Sequence, residues 1–297
     1  MTRQTDLLVT ALAPAVWGST YYVTTQFLPD GYPLSVAALR ALPAGLLLLA
    51  LSRLPFGVWW LRSLVLGALN FALFWWLLFV AAYRLPGGVA ATVLSIQPLL
   101  VIFLASGLLG TTLRLGAVVA AVAGMAGVAL LVLTSSATLD PVGLIAGLGG
   151  AAAMALGTVL TRRWRAPVPL LTFTAWQLTA GGLLLLPAAL WFEPALPALS
   201  SANLMGFAYL GLIGAALTYL LWFRGIARLA PSVVGSLGFF SPVTAVVLGW
   251  VLLDQPLGPL QVTGFLIVLG SVWLSQRAEN RAVASGAGVE TPVRASA

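Results

Sequence analysis

Long apolar runs alternate with short polar breaks along the whole chain. Each run has the length a helix needs to cross a bilayer, about 20 residues. Ten can be marked, at roughly 7–27, 33–52, 63–83, 87–109, 114–134, 141–161, 169–191, 204–226, 231–253 and 256–276. The predicted fold is an all-α integral membrane protein with ten transmembrane helices. The connections are too short to hold a soluble domain. Ala11-Leu12-Ala13 has the small-residue spacing of a signal cleavage site. The apolar run continues past it to Phe27, so the first run is read as a retained span. Residues 277–297 are polar and are predicted to form a disordered cytoplasmic tail.

The pattern occurs twice. Leu85–Gly110 and Leu229–Asp254 are both apolar runs with a central proline, Pro98 in one and Pro242 in the other. Leu66-Gly67-Ala68-Leu69-Asn70 aligns with Leu210-Gly211-Leu212-Ile213-Gly214 at the same spacing, and Gly18-Ser19 aligns with Gly157-Thr158. The chain therefore divides into a first five-helix repeat, 1–137, and a second, 138–276. Five is odd, so the second copy enters the membrane upside down. Inverted repeats are a transporter signature, because two halves that exchange conformations give alternating access around a midplane site.

Charge sets the orientation. All 14 basic residues are arginines. With the N-terminus in the cytoplasm, Arg3, Arg53, Arg62, Arg114, Arg162, Arg163, Arg165, Arg224, Arg228, Arg277, Arg281 and Arg294 lie inside. Arg84 alone lies outside, and Arg40 falls within span two. This is a strong positive-inside bias, and it places both termini in the cytoplasm. The net charge of +7 is thus a topology signal, and no nucleic-acid partner is expected. Composition agrees: 61% of residues are hydrophobic and 7% charged, against about 25% charged in soluble domains. Cys and His are absent, which removes thiolate and imidazole chemistry and the usual zinc ligands. No metal, no cofactor and no enzymatic activity are expected.

Candidate chemistry lies at mid-membrane. A proline inside a helix removes a donor and frees the carbonyl four residues earlier, here those of Leu94 and Gly238. Pro98 and Pro242 are read as hinge or gating positions. The freed carbonyls either meet a substrate ammonium or are satisfied by Ser95, Ser241 or water. Among the tryptophans, Trp59, Trp60, Trp164, Trp191, Trp222, Trp250 and Trp273 lie near span ends, as an interfacial belt would. Trp17, Trp75 and Trp76 lie too deep for a belt. Trp75 and Trp76 are adjacent, so at most one faces the centre. Arg40 either pairs with a substrate carboxylate or outer gate, or caps a helix end or pairs with Asp30 or Asp140. Trp17, Tyr21, Asn70, Phe74, Thr92, Ser95, Gln97, Thr158, Gln177, Tyr219, Ser236, Phe240 and Ser241 are the cavity candidates. For each hydroxyl the competing reading is a bond to its own or a neighbouring helix. The small-residue stripes Gly116/Ala120/Gly124 and Gly143/Gly147/Ala151 are read as helix packing. No Asp or Glu is clearly embedded in a span.

These features resemble the ten-helix branch of the drug/metabolite transporter superfamily, the EamA-type family. The resemblance covers about residues 6–276. It rests on Trp17-Gly18-Ser19, Ala38-Leu39-Arg40, the centred prolines, and the Leu85-Pro86-Gly87-Gly88 turn. It implies a basket-like bundle whose spans 1, 3, 4, 6, 8 and 9 line a central cavity, with spans 5 and 10 peripheral. It implies a secondary transporter of the bacterial inner membrane that exports small amphiphilic metabolites, chiefly aromatic and other neutral amino acids. Partners would be the small-molecule substrate and the lipid bilayer, with the protein acting as a monomer. Small multidrug exporters of the superfamily carry a glutamate in their first helix where this chain has Trp17 and Gly18, so exchange of proton for lipophilic cation is not expected. Export of drugs, sugars or nucleotide-related solutes is the alternative. A channel or an intramembrane enzyme fits less well.

Overall fold

The computed structural model describes residues 3–85, 87–132, 140–254 and 257–284. The described residues are helical, with short connections and no strand. α1 (Arg3–Phe27) and α2 (Pro33–Ala50) come first. The third run is α3 (Trp59–Gly67), a π segment we call π1 (Ala68–Ala72), and α4 (Leu73–Arg84). The fourth splits into α5 (Gly87–Leu94) and α6 (Gln97–Leu109). Then follow α7 (Leu115–Val132), α8 (Pro141–Arg163) and α9 (Leu170–Phe192). The eighth run is α10 (Ser201–Ala208), π2 (Tyr209–Leu217) and α11 (Thr218–Arg228). The ninth splits into α12 (Pro231–Leu237) and α13 (Phe240–Leu252), and α14 (Pro259–Ala284) closes the bundle.

Local chemistry sets the ends. Asp140 accepts from the Gly143 amide at 2.7 Å and Pro141 opens α8, where its missing N–H costs nothing. Ser200 and Asn203 form a capping box on α10. Gly110 ends α6 at φ 70°, a conformation that glycine adopts without strain. The α2 N-terminus is held from outside its own segment. Glu193, at the end of α9, accepts from the Leu34 and Ser35 amides at 2.6 and 2.7 Å.

Among the described residues, nine helices are long and apolar enough to cross a membrane, where ten were expected. The exception is α1. It has 25 residues, about 37 Å at 1.5 Å per residue, so length is sufficient. Its apolarity falls short because Asp6, Thr5, Thr10, Ser19, Thr20, Thr24 and Thr25 share it with the apolar positions. The expected tail also needs correction. α14 runs to Ala284, so residues 277–284 are helical. Arg277, Ala278, Glu279 and Arg281 are good helix formers, and Glu279 pairs with Arg114 at 2.5 Å. Residues 285–297 lie outside the described residues.

Helices pair closely as α2 with α9, α7 with α14, α4 with α8, and α1 with both α11 and α13. Glycines permit the tightest approaches. A Cβ on Gly18 would strike the Ser241 carbonyl and the Thr244 side chain of α13. A Cβ on Gly182 would lie 2.7 Å from the Leu42 backbone at the α2–α9 crossing. Many large apolar side chains, such as Leu8, Phe103, Ile145 and Leu266, point outward. A water-facing surface would not tolerate this much apolar exposure, and acyl chains match it.

Candidate functional site

Two buried clusters gather a minority of the predicted residues, Trp17, Arg40 and Tyr219 in one and Asn70, Thr158 and Gln177 in the other. The first surrounds Tyr219, which is 2% exposed. Ring centroids of Trp17, Phe71 and Phe223 lie 4.9, 4.5 and 5.6 Å from its ring. Trp75 is 6.4 Å from it, and Trp222 is 5.2 Å from Trp17. These tilted and edge-on contacts are the favoured aromatic geometries. Trp17 donates its indole N–H to Thr218 Oγ1 at 2.9 Å. Thr218 in turn donates to the Gly214 carbonyl at 2.9 Å. Arg40 Nη2 donates to the same carbonyl at 2.7 Å, and its guanidinium lies 4.8 Å from the Trp75 ring centroid. Gly214 belongs to π2, where wider turns redirect backbone carbonyls. The structure thus anchors Arg40 on an adjacent span, within an aromatic cluster that is buried except at the half-buried Trp17.

The second cluster is the amide pair Asn70–Gln177. Asn70 Nδ2 donates to Gln177 Oε1 at 2.8 Å and to Thr161 Oγ1 at 3.3 Å. Asn70 and Gln177 are both fully buried. This joins π1, α8 and α9 through side chains, a role the candidate list did not separate from cavity lining. Gly157 makes room for it, since a Cβ there would overlap Asn70 Oδ1. Thr158 is buried beside it and also lines a cleft of about 10 Å³ with Val159, Arg162, Ile226, Pro231 and Val234. Such a volume has room for roughly one water.

Most of the remaining candidates sit at the two breaks. Ser95 Oγ donates to the Thr92 carbonyl at 2.6 Å, and Ser236 Oγ to the Val233 carbonyl at 2.8 Å. These hydroxyls serve their own helices. Gln97 opens α6 and Pro98 follows it, buried beneath Gly235 at 3.2 Å from an added Cβ. In the ninth run the Gly238 carbonyl, expected to be freed by Pro242, accepts the Ser241 amide at 3.1 Å. A tightened turn has consumed it. Phe74 and Phe240 pack, partly buried, against the main core. The Tyr21 side chain lies outside the described residues.

One expectation about the tryptophans holds and another changes. Trp75 is buried and Trp76 is 48% exposed, as adjacency on a helix requires. Trp59 and Trp222, assigned to the belt by their place near span ends, are instead buried at 5% and 1%. Neighbouring helices cover both. Thr218, Gly214, Phe71 and Phe223 were missed. Thr218 lies 201 positions from its partner Trp17, and no local spacing signals such a contact.

Comparison with known proteins supplies the context. The EamA-like transporter family matches residues 5–133 and again 141–276. The chain is 45% identical over 266 residues to Protein PecM of Dickeya dadantii, covering 89% of this chain and 90% of that protein. It is 30% identical over 267 residues to the uncharacterized inner membrane transporter YedA of Escherichia coli, covering 87% and 86%. A solved crystal structure at 21% identity shares the fold with a TM-score of 0.80, covering 93% of this chain and 99% of that one. The chain belongs to the EamA-like transporter family and is a multi-pass transporter of the bacterial inner membrane.

Proposed function

We propose that this member of the EamA-like transporter family is a secondary transporter that exports small amphiphilic metabolites, above all neutral amino acids. The observation that carries the substrate class is the cluster around Tyr219. Aromatic faces suit an apolar or aromatic side chain and an ammonium. The Arg40 guanidinium brings N–H donors of the kind a carboxylate accepts, and the Trp17 indole N–H is engaged by Thr218. Among the described residues, no acid stands beside these groups to select a cation alone. A zwitterion matches this mixture better than a sugar or a lipophilic cation. Drugs, sugars and nucleotide-related solutes remain the alternative cargo. Catalysis has no support from the cluster, which offers neither paired acids nor a nucleophile with a base.

The mechanism rests on ten spans in two inverted repeats with both termini in the cytoplasm, α1 being the tenth. Matched irregularities support this. A π segment interrupts the third run at Ala68–Ala72 and the eighth at Tyr209–Leu217. Breaks fall at 95–96 and 238–239. The family also matches the chain twice, once in each half. Ion pairs respect the sides assigned from the arginines. Asp6 meets Arg224 and Arg228 at the cytoplasmic end, and Asp140 meets Arg84 at 3.7 Å at the other.

Access follows from the two broken helices. Their cytoplasmic halves, α6 and α12, pack together. Their outer halves pack elsewhere, α5 on α7 and α8, α13 on α1 and α7. This supports an outward-facing arrangement, closed toward the cytoplasm at Pro98 and Gly235. The test is a panel of labelled amino acids, sugars and cationic dyes offered to the purified protein in liposomes. Saturable, trans-stimulated movement of neutral amino acids is expected, reduced at least ten-fold (about 1.4 kcal/mol) by Trp17→Ala. Transport of dyes with no amino acid moved would overturn the reading.

A further inference from the structure

One built feature is left unused by transport. It lies where residues 51–58 approach residues 164–169. Beneath them Trp59, Phe173 and Trp176 are buried. Centroids of Trp59 lie 6.0 Å from Phe173 and 6.2 Å from Trp176. Phe56 lies 6.0 Å from Trp176. The Trp176 indole donates to the Arg53 carbonyl at 2.6 Å, which ties the Arg53 segment to the cluster. Arg62 is held by two rings at once, 5.0 Å from Trp59 and 5.4 Å from Trp164. Arg163 and Arg165 flank Trp164 in sequence and are exposed.

Arg62 and the exposed Arg53, Arg163 and Arg165 therefore stand on the segments that form this corner, and neither residues 50–66 nor residues 161–170 contain an acid. Beside them Leu54, Phe56, Val58, Trp60 and Leu61 are about half exposed or more. Bulk water suits the cations and not the apolar chains, and acyl tails do the reverse. The boundary between them suits both. Guanidinium groups bind phosphate through paired N–H donors, and Arg62, fixed by aromatic faces, loses little freedom when it does so.

We propose that this corner binds the phosphate headgroup of an anionic phospholipid in the cytoplasmic leaflet. Arg62 is the oriented contact, Arg53, Arg163 and Arg165 supply the surrounding charge, and Leu54, Phe56, Val58, Trp60 and Leu61 meet the upper acyl chains. The leaflet comes from the orientation proposed above. The headgroup chemistry does not depend on it, and the following test reads binding from either leaflet.

The full chain in detergent is titrated with phosphatidylglycerol, phosphatidylcholine or inorganic phosphate. Bound lipid is counted by native mass spectrometry, and thermal unfolding is followed in parallel. Phosphatidylglycerol should bind preferentially and raise the unfolding midpoint, and phosphate alone should not. Arg62→Gln should weaken phosphatidylglycerol binding about five-fold. Because that change also disturbs the aromatic cluster, Arg53→Gln with Arg165→Gln is the companion variant. It removes exposed charge and spares the rings, and should weaken binding by a similar factor or more. Equal binding of the two lipids, full phosphatidylglycerol binding by the companion variant, or equal stabilisation by inorganic phosphate would overturn the proposal.

Discussion

The Asn70–Gln177 bond shows how much one polar contact can hold inside this bundle. Hydrogen bonds between membrane helices contribute about 0.6 kcal/mol on average and up to about 1.7. Asn70→Leu should therefore lower unfolding stability by about 1 kcal/mol. Adding Gln177→Leu should cost less than the sum of the two single changes, because the first leaves Gln177 Oε1 without its donor. Denaturation of the four members of this cycle in mild detergent measures the coupling. At the bundle edge, just ahead of span one, Asp6 accepts from Arg224 at 2.6 Å. That bond, with Arg228 nearby, holds its carboxyl below the ordinary 3.8 even though burial pushes it up. A depressed folded value means that the stabilisation is present above 3.8 and lost as pH falls through the folded value. The unfolding midpoint should accordingly be flat with respect to Asp6 near neutrality and drop below about pH 4. Asp6→Asn should lower the neutral midpoint and flatten that acid limb in a pH series. Neither contact was legible from spacing. Asn70 and Gln177 are 107 positions apart, and Asp6 and Arg224 are 218 apart.

At the scale of the helix, the sequence signals were strong where they depended on local chemistry. Runs of apolar residues located the membrane helices, and Pro98 and Pro242 marked the two that break. The π segments left no such mark, since Ala68–Ala72 and Tyr209–Leu217 contain no proline and differ little in composition from regular span. Their widened turns are set by what packs against them, including Arg40 on the Gly214 carbonyl. The breaks also turned out tighter than a simple kink. Phe239 and Ser241 amides bond back three residues, to Ser236 and Gly238, so the turn is itself a hydrogen-bonded joint. If these joints bend during transport, Pro98→Ala with Pro242→Ala should slow amino-acid flux several-fold while the folded protein persists. Flux in liposomes, compared with circular dichroism of the same preparation, checks this. Unchanged flux would remove the prolines from the mechanism.

For the whole molecule, the repeat makes a prediction that no single helix contains. In this structure Gly235 of α12 rests on Pro98 of α6. Shifting each residue into the other repeat, 235 to 91 and 98 to 242, names Ala91 and Pro242. In the proposed exchange of halves, that pair should close on the outer side when the cytoplasmic side opens. Ala91→Cys with Pro242→Cys should cross-link only in the inward-facing state, more strongly when substrate is supplied inside. Pro98→Cys with Gly235→Cys should show the reverse. Mass spectrometry of the two variants under both gradients measures the yields. The polar character of α1 carries its own consequence. Its main partners, α11 and α13, begin 191 and 213 residues after its end. At about 5–20 residues per second, the ribosome takes roughly 10–40 s to deliver them. During biogenesis α1 is thus made well before the helices that enclose it. Thr10, which the finished bundle buries, and the half-buried Ser19 and Thr20 must first be carried through the insertion machinery without the neighbours that make them tolerable in lipid.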